Sequence, residues 1–489
     1  MKKFSKLLVV ALIITALASL LTITSSAAAV DPRELKPGSD NVIFIMDAPE
    51  GETLPGDGSG TSPENPLRAY DHEEYDPEQE TPKNHLMTEF YQATELLEET
   101  GGTVVIMGPV HIGPGKLWGN HSTTSELYTA EFKTNTIKFT SVYNGVDYRE
   151  KNGAKLIIEQ PAMIGVEGQS IWENIDIVTI GTKRLIAFHC YPTLVGEGVN
   201  CYPADSGMVG IPIYYVSLSG GHRWKGWTDQ QTNLVVQSGT YNMICGGIWG
   251  VNNTRIYKTA DDPTSPLHAT NNMDGDSLTR ISLEGTTKVL GAVSGTVYQG
   301  SEFSGNVSIT INGGEYDCDI FAVGTTGMMN RNGTAILRIN GGDFTGTWSV
   351  EAAKPGYINN APVGSTIDLS GWTGEQASIA AIYKLAKGAM TPFSTIKLPD
   401  GVTEDSLKST SADTTANAGQ TDSPVETNNG GELVIGEETK DEKDTAVGVG
   451  GEGGGMNVGV IVGIAGGLIA VVCVVVLIVV LGKNKKENK

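Results

Sequence analysis

Cysteine is scarce, with five in 489 residues, too few for the cross-linked scaffold on which small secreted domains depend. Positive charge is scarce as well. Lys and Arg number 34 against 56 Asp and Glu, a formal net charge of −22. So acidic a chain has no basic stripe with which to displace counterions, so nucleic acid is excluded as a partner. No G-x-S-x-G, P-loop, H-E-x-x-H or C-x-x-C occurs, and seven scattered His make no ligand spacing, so no strong motif argues for hydrolase, nucleotide or zinc chemistry. What is abundant is glycine, 62 residues without a three-residue period. That excludes collagen and leaves a many-turned β architecture or linkers.

The two ends carry the longest hydrophobic runs. Lys2, Lys3 and Lys6 precede an apolar stretch from Leu7 to Leu21, and Ala27-Ala28-Ala29 offers an A-x-A cleavage site. Residues 1–29 therefore read as a secretory signal peptide. Residues 458–481 are an unbroken run of apolar residues and Gly, long enough to cross a hydrocarbon core of about 30 Å. Residues 482–489 follow with Lys483, Lys485, Lys486 and Lys489, which the positive-inside rule assigns to the cytoplasm. The segment nearest a sortase motif, Leu398-Pro399-Asp400-Gly401-Val402, does not match one. Between lies an acidic, Gly-rich connector, residues 401–457. From Glu404 to Glu452 it holds twelve acids and three Lys, with too few large apolar residues to offset the entropy of ordering. The expectation is a single-pass protein of the cell membrane, anchored by its C-terminal helix, with its folded part, residues 30–400, outside.

That part repeats itself. Ile281-Ser282-Leu283-Glu284-Gly285, Ile309-Thr310-Ile311-Asn312-Gly313-Gly314-Glu315-Tyr316 and Leu337-Arg338-Ile339-Asn340-Gly341-Gly342-Asp343-Phe344 align without gaps at an offset of 28. Ile367-Asp368-Leu369-Ser370-Gly371 continues the series after a small slip, and Leu234 to Tyr241 carries the same strand, turn and aromatic. Period-2 alternation means strands with one buried face, and Gly supplies the bend. A fixed period in the twenties with one such strand per unit means a stacked array. Leucine-rich repeats and propellers have other periods and motifs, so an all-β parallel β-helix is the expected fold. The Gly-Gly-acid-aromatic unit is then a coil corner with a buried ring. Cys245 and Cys318, each just past such a turn, read as small core residues.

Residues 30–110 read as a cap and residues 111–400 as the solenoid proper. Asn84 opens a helix in which Leu86, Phe90, Ala93 and Leu97 share a face, ended by Gly101. Such a helix would cover the open edge of the first coil. The strand Val42-Ile43-Phe44-Ile45, the stretch Gly58 to Leu67, this helix and Gly101-Gly102-Thr103-Val104-Val105-Ile106 together resemble the capping region of bacterial pectin-lyase-like right-handed β-helix proteins. Val146-Asp147-Tyr148-Arg149, Trp172-Glu173-Asn174-Ile175-Asp176-Ile177 and Ser238-Gly239-Thr240-Tyr241 are similar to segments of clostridial-type cell-surface proteins of that group. The resemblance spans most of residues 42–371. It implies a right-handed parallel β-helix, and a fold that hosts lyases, hydrolases and adhesins alike.

Three places bear chemistry. Ser219 to Asp229 sets Arg223, Trp224, Lys225 and Trp227 among glycines; exposed rings beside polar groups suit a sugar face, and rings folded back as a lid are the alternative. Acids gather at Asp261-Asp262, Asp274-Gly275-Asp276 and Asp317-Cys318-Asp319, with Arg255, Arg280 and Arg331 as basic candidates; a solvated Asn/Asp loop, the ordinary use of these turn residues, is the alternative. Asp274 and Asp276 are the candidate metal ligands. Without the other ligands of an EF-hand loop they make only a weak case for Ca²⁺, and no other cofactor is implied. Cys190 and Cys201 bracket a ten-residue loop and could form an extracellular disulfide.

The function expected is adhesion or capture: binding of an extracellular polysaccharide, or of a host or surface protein, along the solenoid's flank. The alternative is a carbohydrate-active enzyme, a polysaccharide lyase or glycoside hydrolase, on the same scaffold. A purely structural surface layer is the third.

Overall fold

A computed structural model of the chain describes residues 30–49, 52–68, 89–112, 128–159, 163–221, 232–247, 278–295, 302–303, 306–324, 329–330, 334–354 and 364–407. The expected signal peptide, most of the acidic connector, the apolar run 458–481 and the basic tail lie outside these residues. Among the described residues no helix is long and apolar enough to cross a membrane.

The strands stack in three columns. The first begins with Val42–Ile45 on Gly102–Ile106 and continues through the ends of Tyr128–Thr140 and Met163–Glu173. Thr193–Val195, Thr232–Val236, Leu278–Leu283, Asn306–Ile311, Ala335–Ile339, Thr366–Asp368 and Thr395–Lys397 follow, every pairing parallel. The second column opens with Pro109–Ile112, Lys155–Ile158, Asp176–Thr179 and Asn200–Pro203. Residues 240–241, 288–289 and 315–316 take it up later. The third runs through Leu185–Ala187, Ser217–Ser219, residues 243–245 and 292–294, Asp319–Phe321 and Ser349–Glu351. From residue 170 to residue 321 the columns are visited in the order first, second, third, then first again, so each circuit there adds one strand to each. That is a parallel β-solenoid.

The repeat spacing is the pairing register. Ile281 faces Ile309 and Ile309 faces Leu337; Leu283, Ile311 and Ile339 align in the same way. The slip at the next coil is two residues, since Leu337 faces Ile367. Leu234 faces Ile281 although 47 positions separate them; the excess is an insert between columns. These inward side chains are buried, and their stacking at one strand spacing, about 4.8 Å, makes a continuous core.

The corner reading of the Gly-aromatic motif holds. Gly239, Gly314 and Gly342 have φ of +99°, +95° and +124°, and the ring two residues on folds back over each. A Cβ on Gly239 would sit 2.4 Å from the Tyr241 hydroxyl. Tyr241 donates to the Ser238 carbonyl (2.8 Å) and Tyr316 to that of Gly313 (2.7 Å), so each buried phenol is satisfied. Tyr316 stacks on Phe344 at 4.9 Å, and Trp372 continues the ladder at 6.3 Å.

Both ends of the solenoid are covered. At the N-terminal end the helix Glu89–Leu96 buries Phe90 and Ala93, and Leu97 follows them inward. Phe90 stacks on Phe139 at 5.2 Å, which meets Trp172 at 4.6 Å. Gly101 ends the segment at φ +67° and donates to the Leu97 carbonyl; Asn84 and Leu86 lie outside the described residues. At the other end the helix Gln376–Lys387, which the repeat analysis did not anticipate, buries Ile379, Ala380, Ile382, Tyr383 and Ala386 in the common core. Its i, i+3, i+4, i+7 spacing was a readable signal.

A third covering element is the arm around the short 3-10 turn Pro32–Glu34. Leu35 packs on Ile171, Leu194 and Val235, an outward apolar patch of the first column. Asn233 Nδ2 donates to the Val30 carbonyl (2.8 Å), and Arg33 Nη2 to Ser282 Oγ (2.9 Å). The arm thus lies across several consecutive coils.

Candidate functional site

Arg223, Trp224, Lys225 and Trp227 lie outside the described residues, as do Asp274 and Asp276, Asp261 and Asp262, and Arg255 and Arg331. Where their segments leave the solenoid is described. Ser217–Ser219 is followed by Gly220, Thr240–Cys245 by Gly246 and Lys288–Ser294 by Gly295. A Cβ on Gly220 would come 2.5 Å from the Gly246 carbonyl, and one on Gly246 2.5 Å from the Gly295 carbonyl. Gly221 N–H and Ser219 Oγ both donate to the Gly247 carbonyl, at 2.8 and 2.6 Å. The segments 222–231 and 248–277 therefore depart from adjacent coils at one corner, between the third and first columns.

Beside that corner His189 Nδ1 lies 2.7 Å from Glu167 Oε1. His189 and Cys190 are consecutive at φ +47° and +71°, a conformation that costs non-Gly residues of order 1–3 kcal/mol each. The Cys190 N–H donates to the Gly220 carbonyl at 2.8 Å, so this strained turn braces the root of segment 222–231. Nothing in the sequence marks Glu167 and His189 as partners, because only the stacking of coils brings them together.

The disulfide expectation is not realised. Cys190 and Cys201 are both buried thiols. Cys190 sits in the turn from the third to the first column. Cys201, in the second column, faces the core, where burial pushes its thiol up to about 12 despite a hydrogen bond with Tyr241. Cys318 is a core residue as expected. Cys245 is buried in a separate cluster with Leu185, Met243, Ala292 and Phe321, on the side of its strand opposite Ile244.

At the corner between the first and second columns, polar side chains form a ladder. Gln237 Nε2 and Asn312 Nδ2 each donate to Glu284 at 3.3 Å, and Asn340 Nδ2 to Asn312 Oδ1 at 2.8 Å. Arg33 forms an ion pair with Glu284, and Ser282 Oγ donates to it at 2.7 Å. Burial alone would raise the Glu284 carboxyl, but these donors and the guanidinium charge outweigh it and bring it to about 2. Next to it opens a cleft of about 420 Å³ lined by Glu197, Gly198, Gln237, Ser238, Glu284, Gly285 and Thr286. Its chemistry is that of a polar surface offering acceptors to hydroxyl groups.

At the corner between the second and third columns, Asp317 and Asp319 both point outward, as their alternation about buried Cys318 requires. Asp317 Oδ2 is 3.3 Å from Lys288 Nζ, which is also ion-paired to Glu315, and Asp319 Oδ1 accepts from Ser349 Oγ at 2.7 Å. Arg280, partly buried in the first column, lies between Asn233 and Ser308 in register. It is not brought into this group by any pairing. One coil above Asp317, Trp348 is 63% exposed. In the sequence it is a single ring in Thr345-Gly346-Thr347-Trp348-Ser349, without the second Trp and the basic neighbours that mark Trp224 and Trp227.

Among the described residues no group of three or more His, Cys, Asp or Glu is arranged to hold a metal ion. No protein-family model, curated protein or solved structure matches the chain. Its strand pairings define its class, a parallel β-solenoid with polar corners.

Proposed function

We propose that the chain is a membrane-anchored cell-surface protein whose ectodomain, a right-handed β-helix of the pectin-lyase-like kind met in clostridial-type surface proteins, captures an extracellular glycan or surface partner. The observation that carries the reading is the shared corner. The tryptophan-bearing segment and the long acidic segment 248–277 leave from adjacent coils whose Gly220 and Gly246 are in close contact. Segments that carry aromatic and acidic residues and are rooted in neighbouring coils suit capture of a polymer along the flank. The secretory leader and the C-terminal apolar run supply the address and the anchor. Calcium, through Asp274 and Asp276, is a candidate addition to this surface rather than a requirement of it.

The test is retention of the purified protein on an array of plant, microbial and mucin polysaccharides, read with a reducing-end assay and ultraviolet absorbance for unsaturated products, with and without Ca²⁺. Retention without new products is expected. Replacing Trp224 and Trp227 with Ala is expected to weaken retention about tenfold or more while leaving the melting temperature unchanged. Unchanged retention would make those rings packing. The enzyme alternative predicts new reducing ends or unsaturated products, and their release would establish it.

A further inference from the structure

We infer that Trp348 and the polar corner beneath it form a sugar-binding platform for neutral pyranosides, separate from the segment that carries Trp224 and Trp227. The inference rests on the glycan reading above and deepens it by naming a site and a class of ligand.

Trp348 is the exposed tryptophan of the described residues; Trp172 is buried and Trp372 belongs to the corner ladder. Its backbone is held in place. Trp348 N–H donates to the Cys318 carbonyl (3.3 Å), and the buried Thr347 before it donates from Oγ1 to the Tyr316 carbonyl (2.8 Å). The indole is therefore presented on a turn whose backbone is already hydrogen-bonded, so little main-chain ordering is needed when a ligand stacks on it.

Around that turn the groups are hydroxyl-bonding. Gly346 lies directly over Asp317: a Cβ there would fall 1.7 Å from Oδ1. Asp317 reaches Lys288, Lys288 reaches Glu315, and Asp343 holds the preceding Thr345 through its hydroxyl at 2.7 Å. An apolar plate bordered by fixed acceptors matches a pyranose, whose C–H face stacks while its equatorial hydroxyls donate. Lys288 is a single ammonium facing Glu315 and Asp317, with Asp343 and Asp319 nearby. A uronate would bring its own negative charge into this group, so the site selects neutral sugars.

The experiment uses the full-length protein in detergent micelles with two probes, cellohexaose and oligogalacturonate of the same length. Affinity is read by calorimetry and by the fluorescence change of the exposed indole. The expected result is binding of the neutral hexamer and not of the uronate. Trp348→Ala should weaken it about tenfold and reduce the indole fluorescence change, Trp348→Phe should recover much of the affinity, and none of these should shift the melting temperature. Unchanged affinity in Trp348→Ala would overturn the site; if Trp224→Ala/Trp227→Ala then loses binding, the glycan reading survives without it. Loss in Trp348→Ala with the double variant unaffected would keep the site and remove the loop. A protein that binds oligogalacturonate in preference, or neither probe, overturns the inferred selectivity and the platform with it.

Discussion

At the scale of residues, the solenoid is limited by what can approach its corners. Gly314 and Gly153 both have positive φ, +95° and +67°, yet they differ in what surrounds them. A Cβ on Gly314 would lie 2.5 Å from the Thr287 carbonyl and 2.9 Å from the Tyr316 hydroxyl, whereas one on Gly153 meets nothing within 4 Å. Gly153→Ala should therefore cost only the left-handed conformation, about 1 kcal/mol. Gly314→Ala adds a clash with backbone that cannot move without shifting a coil, and should cost about 3 kcal/mol or more. Thermal or denaturant unfolding of the two variants measures the difference. Equal losses would mean that the ring does not pack against its corner as described.

At the scale of elements, the arm at residues 30–35 is held by charge as well as by Leu35. Its Arg33 is one of the groups that hold the Glu284 carboxyl at about 2, against an ordinary 4.5. A carboxyl whose folded value is depressed contributes stability above its unfolded value and loses it as pH falls toward the folded one. The contribution is thus present at pH 7, begins to fade near 4.5 and is gone below about 2. Glu284→Gln keeps the shape but removes the charge. It should lower stability by about 1–2 kcal/mol at neutral pH and reduce the acid sensitivity in that window, as read from melting temperatures across pH. A variant with the parent's pH profile would show that the Arg33–Glu284 pair does not hold the arm, leaving Leu35 and the hydrogen bonds to Val30 and Ser282 to do so. None of this was legible in the sequence, because Arg33 and Glu284 meet only through a fold that closes a separation of 251 residues. The coils were legible for the converse reason. Ile281, Ile309 and Leu337 repeat at a constant offset, and a parallel stack converts offset directly into register. The C-terminal helix falls between these cases: Ile379, Ile382, Tyr383 and Ala386 carry a helical stripe, but it stands just past the last repeat, where the period-2 signal had stopped. The candidate site was legible only in part. Composition singled out Trp224 and Trp227, whereas Trp348 stands out only once its exposure and the Asp317 beneath it are known.

At the scale of the whole molecule, the excess of 22 negative charges acts on any polymer the flank approaches. A neutral glycan feels only stacking and hydrogen bonds, which reach a few ångströms. A polyuronate also meets the field of the ectodomain, and screening sets how far that field extends, about 8 Å at 0.15 M salt and about 3 Å at 1 M. The polar corners are themselves acidic at Glu197, Glu284, Asp317 and Asp343, so the repulsion is local as well as global. Two salt dependences are expected from one protein. Affinity for a neutral β-linked hexamer should stay within about twofold between 0.15 and 1 M NaCl, since no charge is paired on binding. Association with oligogalacturonate, weak at low salt, should strengthen as salt rises, in the direction opposite to that of a basic polyanion-binding protein, whose affinity salt erodes. Parallel titrations at three ionic strengths decide it. Uronate binding that weakens with salt would reveal a basic contact strong enough to override the net charge, and would locate the ligand surface away from the acidic corners.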